Sequence, residues 1–136
     1  MIHKAPAPDA LDALADAASG LLFPGESDAP LTPYRWAGTA APTPEALLQA
    51  EKRAPETPVE TVEVADFFGG LTTPRAGASE AERTEAARWR ALVALLGERL
   101  QDLRVYRVGA VDIDAFILGR DPAGVWLGLR THLVET

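Results

Sequence analysis

The sequence predicts an α+β domain in which an antiparallel-rich sheet carries helices on both faces, and three observations point to it. Ser79-Glu80-Ala81-Glu82 is a Ser-x-x-Glu capping box that opens a long amphipathic helix. Residues 103–136 read as consecutive strands broken by short turns. Within them, VDIDAFIL starts as strict alternation, Val111 and Ile113 against Asp112 and Asp114, then turns apolar on both sides at Ala115-Phe116-Ile117-Leu118. A strand that is half wet and then wholly buried belongs to a sheet covered on both faces.

The elements follow in order. A flexible Pro/Ala leader is expected over residues 1–8 and one domain over 9–136, where Asp9 can cap a first helix. Its apolar positions Leu11, Leu14, Ala15, Ala18, Leu21 and Leu22 recur at three- and four-residue spacing, and it ends near Gly20. FPGESDAPLTP, at 23–33, reads as an exposed loop, and PYRWAG after it as a short strand. Thr43-Pro44-Glu45 gives a cap, a proline at the first helical position and an acid in the first turn, so a helix runs over ALLQAEKR and stops before Pro55. PVETVEV, at 58–64, suits a strand with one wet face, and DFFGG a turn or short helix.

The capped helix runs to about Leu100, with Glu85, Trp89, Leu92, Val93, Leu96 and Leu100 on one stripe. Arg83, Arg88, Arg90 and Glu98 fall on its solvent side. Strands are expected at 103–108, 111–118 and 125–132, the last pair joined by a turn at Gly119-Arg120-Asp121-Pro122-Ala123-Gly124.

Composition narrows the function. At this length a chain buries about two-thirds of its unfolded surface in one core. The net charge is −7, and residues 1–66 hold 11 acidic and four basic side chains while residues 67–136 hold nine of each, so the excess lies in the first half. Such a field repels phosphate backbones and favours a basic protein partner over direct nucleic-acid binding. No window is apolar enough to span a membrane, and MIHKAPAPDALD has no apolar core of a secretory signal, so a soluble cytoplasmic protein, monomeric when free, is expected. With no cysteine and two histidines, His3 and His132, thiolate and multi-histidine metal sites are excluded, and no cofactor is expected.

Catalytic motifs are missing: no Gly-x-Ser-x-Gly elbow, no phosphate-binding glycine loop and no His-Glu-x-x-His. The nearest arrangement to a carboxylate dyad is Asp112 with Asp114, side by side on one strand face. It reads either as an acid/base or metal site or as an exposed face with Arg104 or Arg107 nearby. His132 reads as a packed or surface histidine, and Trp36 and Trp126 as packing rather than interface anchors.

Two blocks, GLLFPGESDAPLTPYRW at 20–36 and VYRVGAVDIDAFILGR with GVWLGLRTHLVET at 105–136, resemble the nuclease A inhibitor family. These are small acidic proteins that inhibit sugar-nonspecific DNA/RNA endonucleases of the ββα-metal class. The resemblance covers most of residues 11–136 and implies an α-β-α sandwich of the PR-1-like type. It also implies that the inhibitor plugs a basic, metal-dependent nuclease cleft. Glu26 matches the family's acidic loop residue, which meets arginines that otherwise hold phosphate. Thr136 matches the family's terminal threonine, whose oxygens, helped by Glu135, reach the partner's metal or its bound water.

A nuclease cleft carries positive potential and a hard cation, so carboxylates and oxygen donors are its natural competitors. On the residues alone, Glu26 and Asp28 are also ordinary turn formers, with Asp28 able to close an Asx-turn before Pro30, and Thr136 an ordinary chain end. The resemblance departs at Thr73-Pro74-Arg75-Ala76-Gly77-Ala78, where the family carries an acidic–aromatic pair. Arg75 and Gly77 stand there as candidate loop contacts, and an arginine opposes a basic cleft. The alternatives are an interaction module of the same fold with another target and a small enzyme using Asp112 and Asp114.

Overall fold

A computed structural model of the chain describes residues 10–38 and 40–135. The leader 1–8, the expected cap Asp9 and Thr136 lie outside the described residues. Four helices and two antiparallel sheets make up the described fold.

Helix α1 (Ala10–Ala18) buries Ala10, Leu14 and Ala18, with Leu21 buried just beyond. The expected exposed loop after it is instead a two-rung hairpin, β1 (Leu22–Phe23) against β2 (Ala29–Pro30). Two-residue strands carry no alternation to read, and what fixes them is the burial of Phe23 and Leu31 in the core. Strand β3 (Thr32–Arg35) follows as expected. Helix α2 (Pro44–Ala50) begins as its sequence dictates, with the Thr43 hydroxyl accepting from the Ala46 N–H at 3.1 Å and Pro44 at the first position.

Strand β4 (Val59–Val62) leads into α3 (Val64–Thr72), nine helical residues where DFFGG had indicated a turn or short helix. Gly69 and Gly70 disfavour a helix by about 1 kcal/mol each. Burial of Phe68 contributes about 2–3 kcal/mol in the opposite direction, and Phe67 stacks on Phe23 at 4.6 Å.

Helix α4 (Glu80–Arg99) has both bonds of its capping box: Ser79 Oγ accepts from Glu82 N at 3.1 Å, and Glu82 Oε1 accepts from Ser79 N at 2.9 Å. Its buried stripe is Ala86, Trp89, Leu92 and Leu96. Glu85, expected on that stripe, is exposed, because Ala86 is the residue one turn before Trp89 that meets the core. The arginines of the outer side are exposed yet engaged. Arg88 donates to the carbonyls of Ala17 and Ser19, and Arg90 to that of Thr72, so α4 closes the open ends of α1 and α3.

The main sheet has the order β3-β7-β6-β5-β4, all pairs antiparallel, with β5 (Gln101–Val108), β6 (Asp112–Arg120) and β7 (Trp126–Val134) as its centre. Both edges are short, and β3 contains Pro33. The β6–β7 turn is closed by Asp121, whose Oδ1 accepts from Ala123 N and Val125 N at 2.9 Å each. In the β5–β6 turn Gly109 has φ 118°, and a Cβ there would lie 2.1 Å from the Asp112 carbonyl oxygen, so only glycine fits.

Successive strand residues point to opposite sides. One set, Val105, Ile113, Ala115, Ile117, Leu127, Leu129 and Leu133, shares a core with Leu14, Phe68, Trp89, Leu92 and Leu96. The other, Tyr106, Val108, Phe116 and Leu118, shares a core with Leu47 and Leu48 of α2. The doubly apolar run at 115–118 is thus buried on both sides.

Candidate partner-binding surface

The surface is built where β7 ends. Leu133 anchors that end in the core, Val134 pairs with Asp112, and the Glu135 N–H donates to the Val111 carbonyl at 2.9 Å. The β1–β2 hairpin loop lies against the same segment: a Cβ on Gly25 would sit 3.7 Å from Leu133 Cβ and 3.8 Å from Val134 N. Asp28 Oδ1 accepts from Gly25 N at 3.4 Å and folds the loop back on itself, with Glu26 exposed at its tip. Glu26, Asp28 and Glu135 therefore belong to two adjoining segments. Between the segments and α3 is a hollow of about 330 Å³ walled by Phe23, Val62, Phe67 and Leu133, with Asp66, Arg107 and Glu135 as its charged groups.

Arg107 organises this corner. Its side chain, 20% exposed, donates through Nη1 to Glu60 Oε1 at 2.7 Å and through Nη2 to Glu135 Oε1. Glu60 is its register partner on β4, while Glu135 reaches it from beyond the end of β7. Sequence reasoning did not single out Arg107 as a site residue. Its position inside Val-Tyr-Arg-Val-Gly, flanked by Tyr106 and Val108, which are buried together on one side of the sheet and so turn Arg107 to the other, was the available signal.

Arg75 and Gly77 occupy the α3–α4 connection. Arg75 meets the capping-box carboxylate of Glu82 through Nε at 3.3 Å and Nη2 at 3.2 Å, and Gly77 has φ 77°. Hydrogen bonds from the Ser79 backbone and hydroxyl, and then Arg75, hold the Glu82 carboxyl below its usual range. The positive charge of Arg75 is thereby matched by a neighbour.

Asp112 and Asp114 do share a strand face, but their neighbours differ from those expected. Asp114, 18% exposed, meets Arg53 at 3.1 Å, His132 Nδ1 at 3.2 Å and Arg130 at 3.5 Å, and His132 Nε2 lies 3.6 Å from Asp112. Arg107 cannot join them because it sits on the opposite side of the sheet. Arg104 is four residues along β5 from Val108, the register partner of Asp114, roughly 13 Å away, and it donates to the Leu103 carbonyl. The aspartate pair is thus the centre of an ion-pair network, continued by Arg130 to Glu51 at 3.3 Å and Glu51 to the Tyr34 hydroxyl at 3.1 Å.

His132 is a half-exposed surface histidine in that network. Trp126 is buried, and Trp36 packs on the α2-side core and donates to the Ala40 carbonyl at 3.1 Å. Among the described residues, no group of three or more His, Asp or Glu side chains is placed to hold a metal, and no helix is long and apolar enough to cross a membrane.

A family model described as nuclease A inhibitor-like protein matches residues 8–136, nearly the whole chain. The chain belongs to the nuclease A inhibitor-like family. No curated protein matches it. In this nuclease A inhibitor-like chain the two sequence blocks that carry the resemblance meet in space, because the hairpin loop of the first packs on the last strand of the second.

Proposed function

We propose that this chain is a noncatalytic protein inhibitor of a sugar-nonspecific, metal-dependent DNA/RNA endonuclease, acting as a single domain over residues 9–136 with the α-β-α sandwich architecture of the PR-1-like type. Membership of the nuclease A inhibitor-like family supports the activity. The two apolar clusters, one with α2 and one with the other helices, support the sandwich. The observation that carries the mechanism is the packing of Gly25 on Leu133 and Val134, which joins the acidic loop and the end of β7 in one surface.

Each residue then has a role. Glu26 offers its carboxylate to arginines that would otherwise hold a phosphate. Asp28 shapes the loop behind it. Thr136 supplies oxygen donors to the nuclease's metal or to water bound there, and Glu135 fixes the approach of that residue. The chain's charge of −7 complements a basic cleft and speeds encounter. Arg75 and Gly77 form the rim, and Arg75, standing where the family has an acidic–aromatic pair, tunes which nuclease is accepted.

The aspartates do not support an enzyme, since Asp114 is already held by two arginines and a histidine.

The test is an inhibition titration against purified basic, nonspecific nucleases. Glu26→Ala should weaken inhibition about 30-fold or more, the effect of removing one partner of a desolvated charge pair. Lengthening the chain by a few residues beyond Thr136 should weaken it further. Full inhibition by the lengthened chain would remove the metal-directed role of residue 136, and no inhibition by the parent protein would leave an interaction module with another target.

A further inference from the structure

We infer that Arg107 is a positioning residue that latches the end of β7 to the sheet and so aims the partner-binding surface. This rests on the inhibitor reading above for its purpose, though not for its geometry.

Beyond Leu133 the segment has little burial to hold it. Val134 is partly exposed and Glu135 is exposed, and the backbone is held by the bond from Glu135 N to Val111 O and the rung between Val134 and Asp112. A strand end with so few bonds frays readily. The Arg107 fork adds a second tie. It spans from β5 across the start of β6 to Glu135, and Glu60 on the far side fixes the guanidinium so that the fork is already oriented when it meets Glu135.

The environment suits this task. The arginine is 20% exposed while Glu60 and Glu135 are 63% and 54% exposed, so the cation is the sheltered, central group and each carboxylate keeps water on one side. Arg107 and Glu135 also line both the hollow under the hairpin loop and a second one beside Pro58 and Gly109. Their ion pair is the ridge between the two. A ridge with a fixed crest holds Glu135 in one orientation, and the ordering cost of binding falls accordingly.

The latch also changes what Glu135 does. Its carboxylate, matched to Arg107, serves as an anchor, and the metal-directed oxygens come from the residue after it.

The experiment measures amide hydrogen exchange at Glu135 by NMR alongside nuclease inhibition and thermal unfolding. Arg107→Gln should speed Glu135 exchange about fivefold, the factor expected for loss of a well-held ion pair at the surface, and weaken inhibition while leaving the melting temperature close to that of the parent. Arg107→Lys, which keeps the charge and loses the fork, should recover part of both. Arg104→Gln, on the same strand, should change neither. Glu135→Gln, at an exposed position that cannot unfold the core, should reproduce the inhibition loss.

Unchanged Glu135 exchange in Arg107→Gln overturns the latch, even if inhibition falls, since Arg107 would then be acting on the partner by itself. Faster exchange in a protein that inhibits no nuclease upholds the latch and removes the inhibitor reading.

Discussion

Two ion-pair centres sit on opposite sides of one sheet with their signs reversed. At one, the carboxylate of Asp114 is ringed by Arg53, Arg130 and His132. At the other, the guanidinium of Arg107 lies between Glu60 and Glu135. The Asp114 centre joins the residues just after α2 to β6 and β7, ties made early and late in the chain. The Arg107 centre holds one edge strand and one strand end. The first is placed to keep the fold together and the second to keep a surface in order, and the difference in exposure of their partners decides which effect dominates.

The largest expected effect is at the first centre. Asp114→Ala leaves two arginines facing each other without their shared carboxylate, and chemical denaturation should show a loss of about 2 kcal/mol, below the value for a fully buried pair because Arg53 and Arg130 reach water. Arg107→Gln should cost less than about 1 kcal/mol in the same measurement. A larger loss for Arg107→Gln than for Asp114→Ala would break the contrast.

A third measurement probes the rim of the Asp114 network. Burial, then the charge and hydrogen bond of Glu51, push the Tyr34 hydroxyl up to about 12, and burial also raises Tyr106. The folded value lies above the ordinary one near 10, so this contribution to stability is complete below pH 10 and is lost as the pH rises through about 12. Ultraviolet titration should show phenolate later than in a free tyrosine, and Glu51→Gln should move the Tyr34 transition down. An unmoved transition would mean that burial acts alone there.

The smallest effect lies between the two centres on β7. The Thr131 hydroxyl is buried and has no hydrogen-bond partner among the described residues, so Thr131→Val should leave stability unchanged or raise it by up to about 1 kcal/mol in a thermal melt.

Features set by neighbours in the chain were legible in the sequence. The capping box at Ser79 and Glu82, the Thr43-Pro44 helix start and the Asp121 turn each depend on residues within a few positions, and each forms as read. The doubly buried stretch of β6 was legible for the same reason. Helix α3 was legible only as a turn or short helix, because its two glycines speak against a helix and the burial that outweighs them comes from Phe23 and Trp89 far along the chain.

The candidate surface divides in the same way. Glu26, Asp28 and Glu135 stand in the sequence blocks that carry the family resemblance and are proposed from it, while the bridge from Arg107 to Glu135 spans 28 residues and the one from Arg53 to Asp114 spans 61, pairings that only the strand register creates.

The edges of the sheet bear on how this protein can meet another. Pro33 withholds a backbone donor on one edge strand, and the other is four residues long, entered from Pro58 and carrying an ion-paired glutamate. Neither edge can readily take on an added strand, the route by which many sheets recruit a peptide or aggregate. A partner would then meet side chains rather than an open strand edge, as the proposed surface formed by the β1–β2 loop and the end of β7 offers.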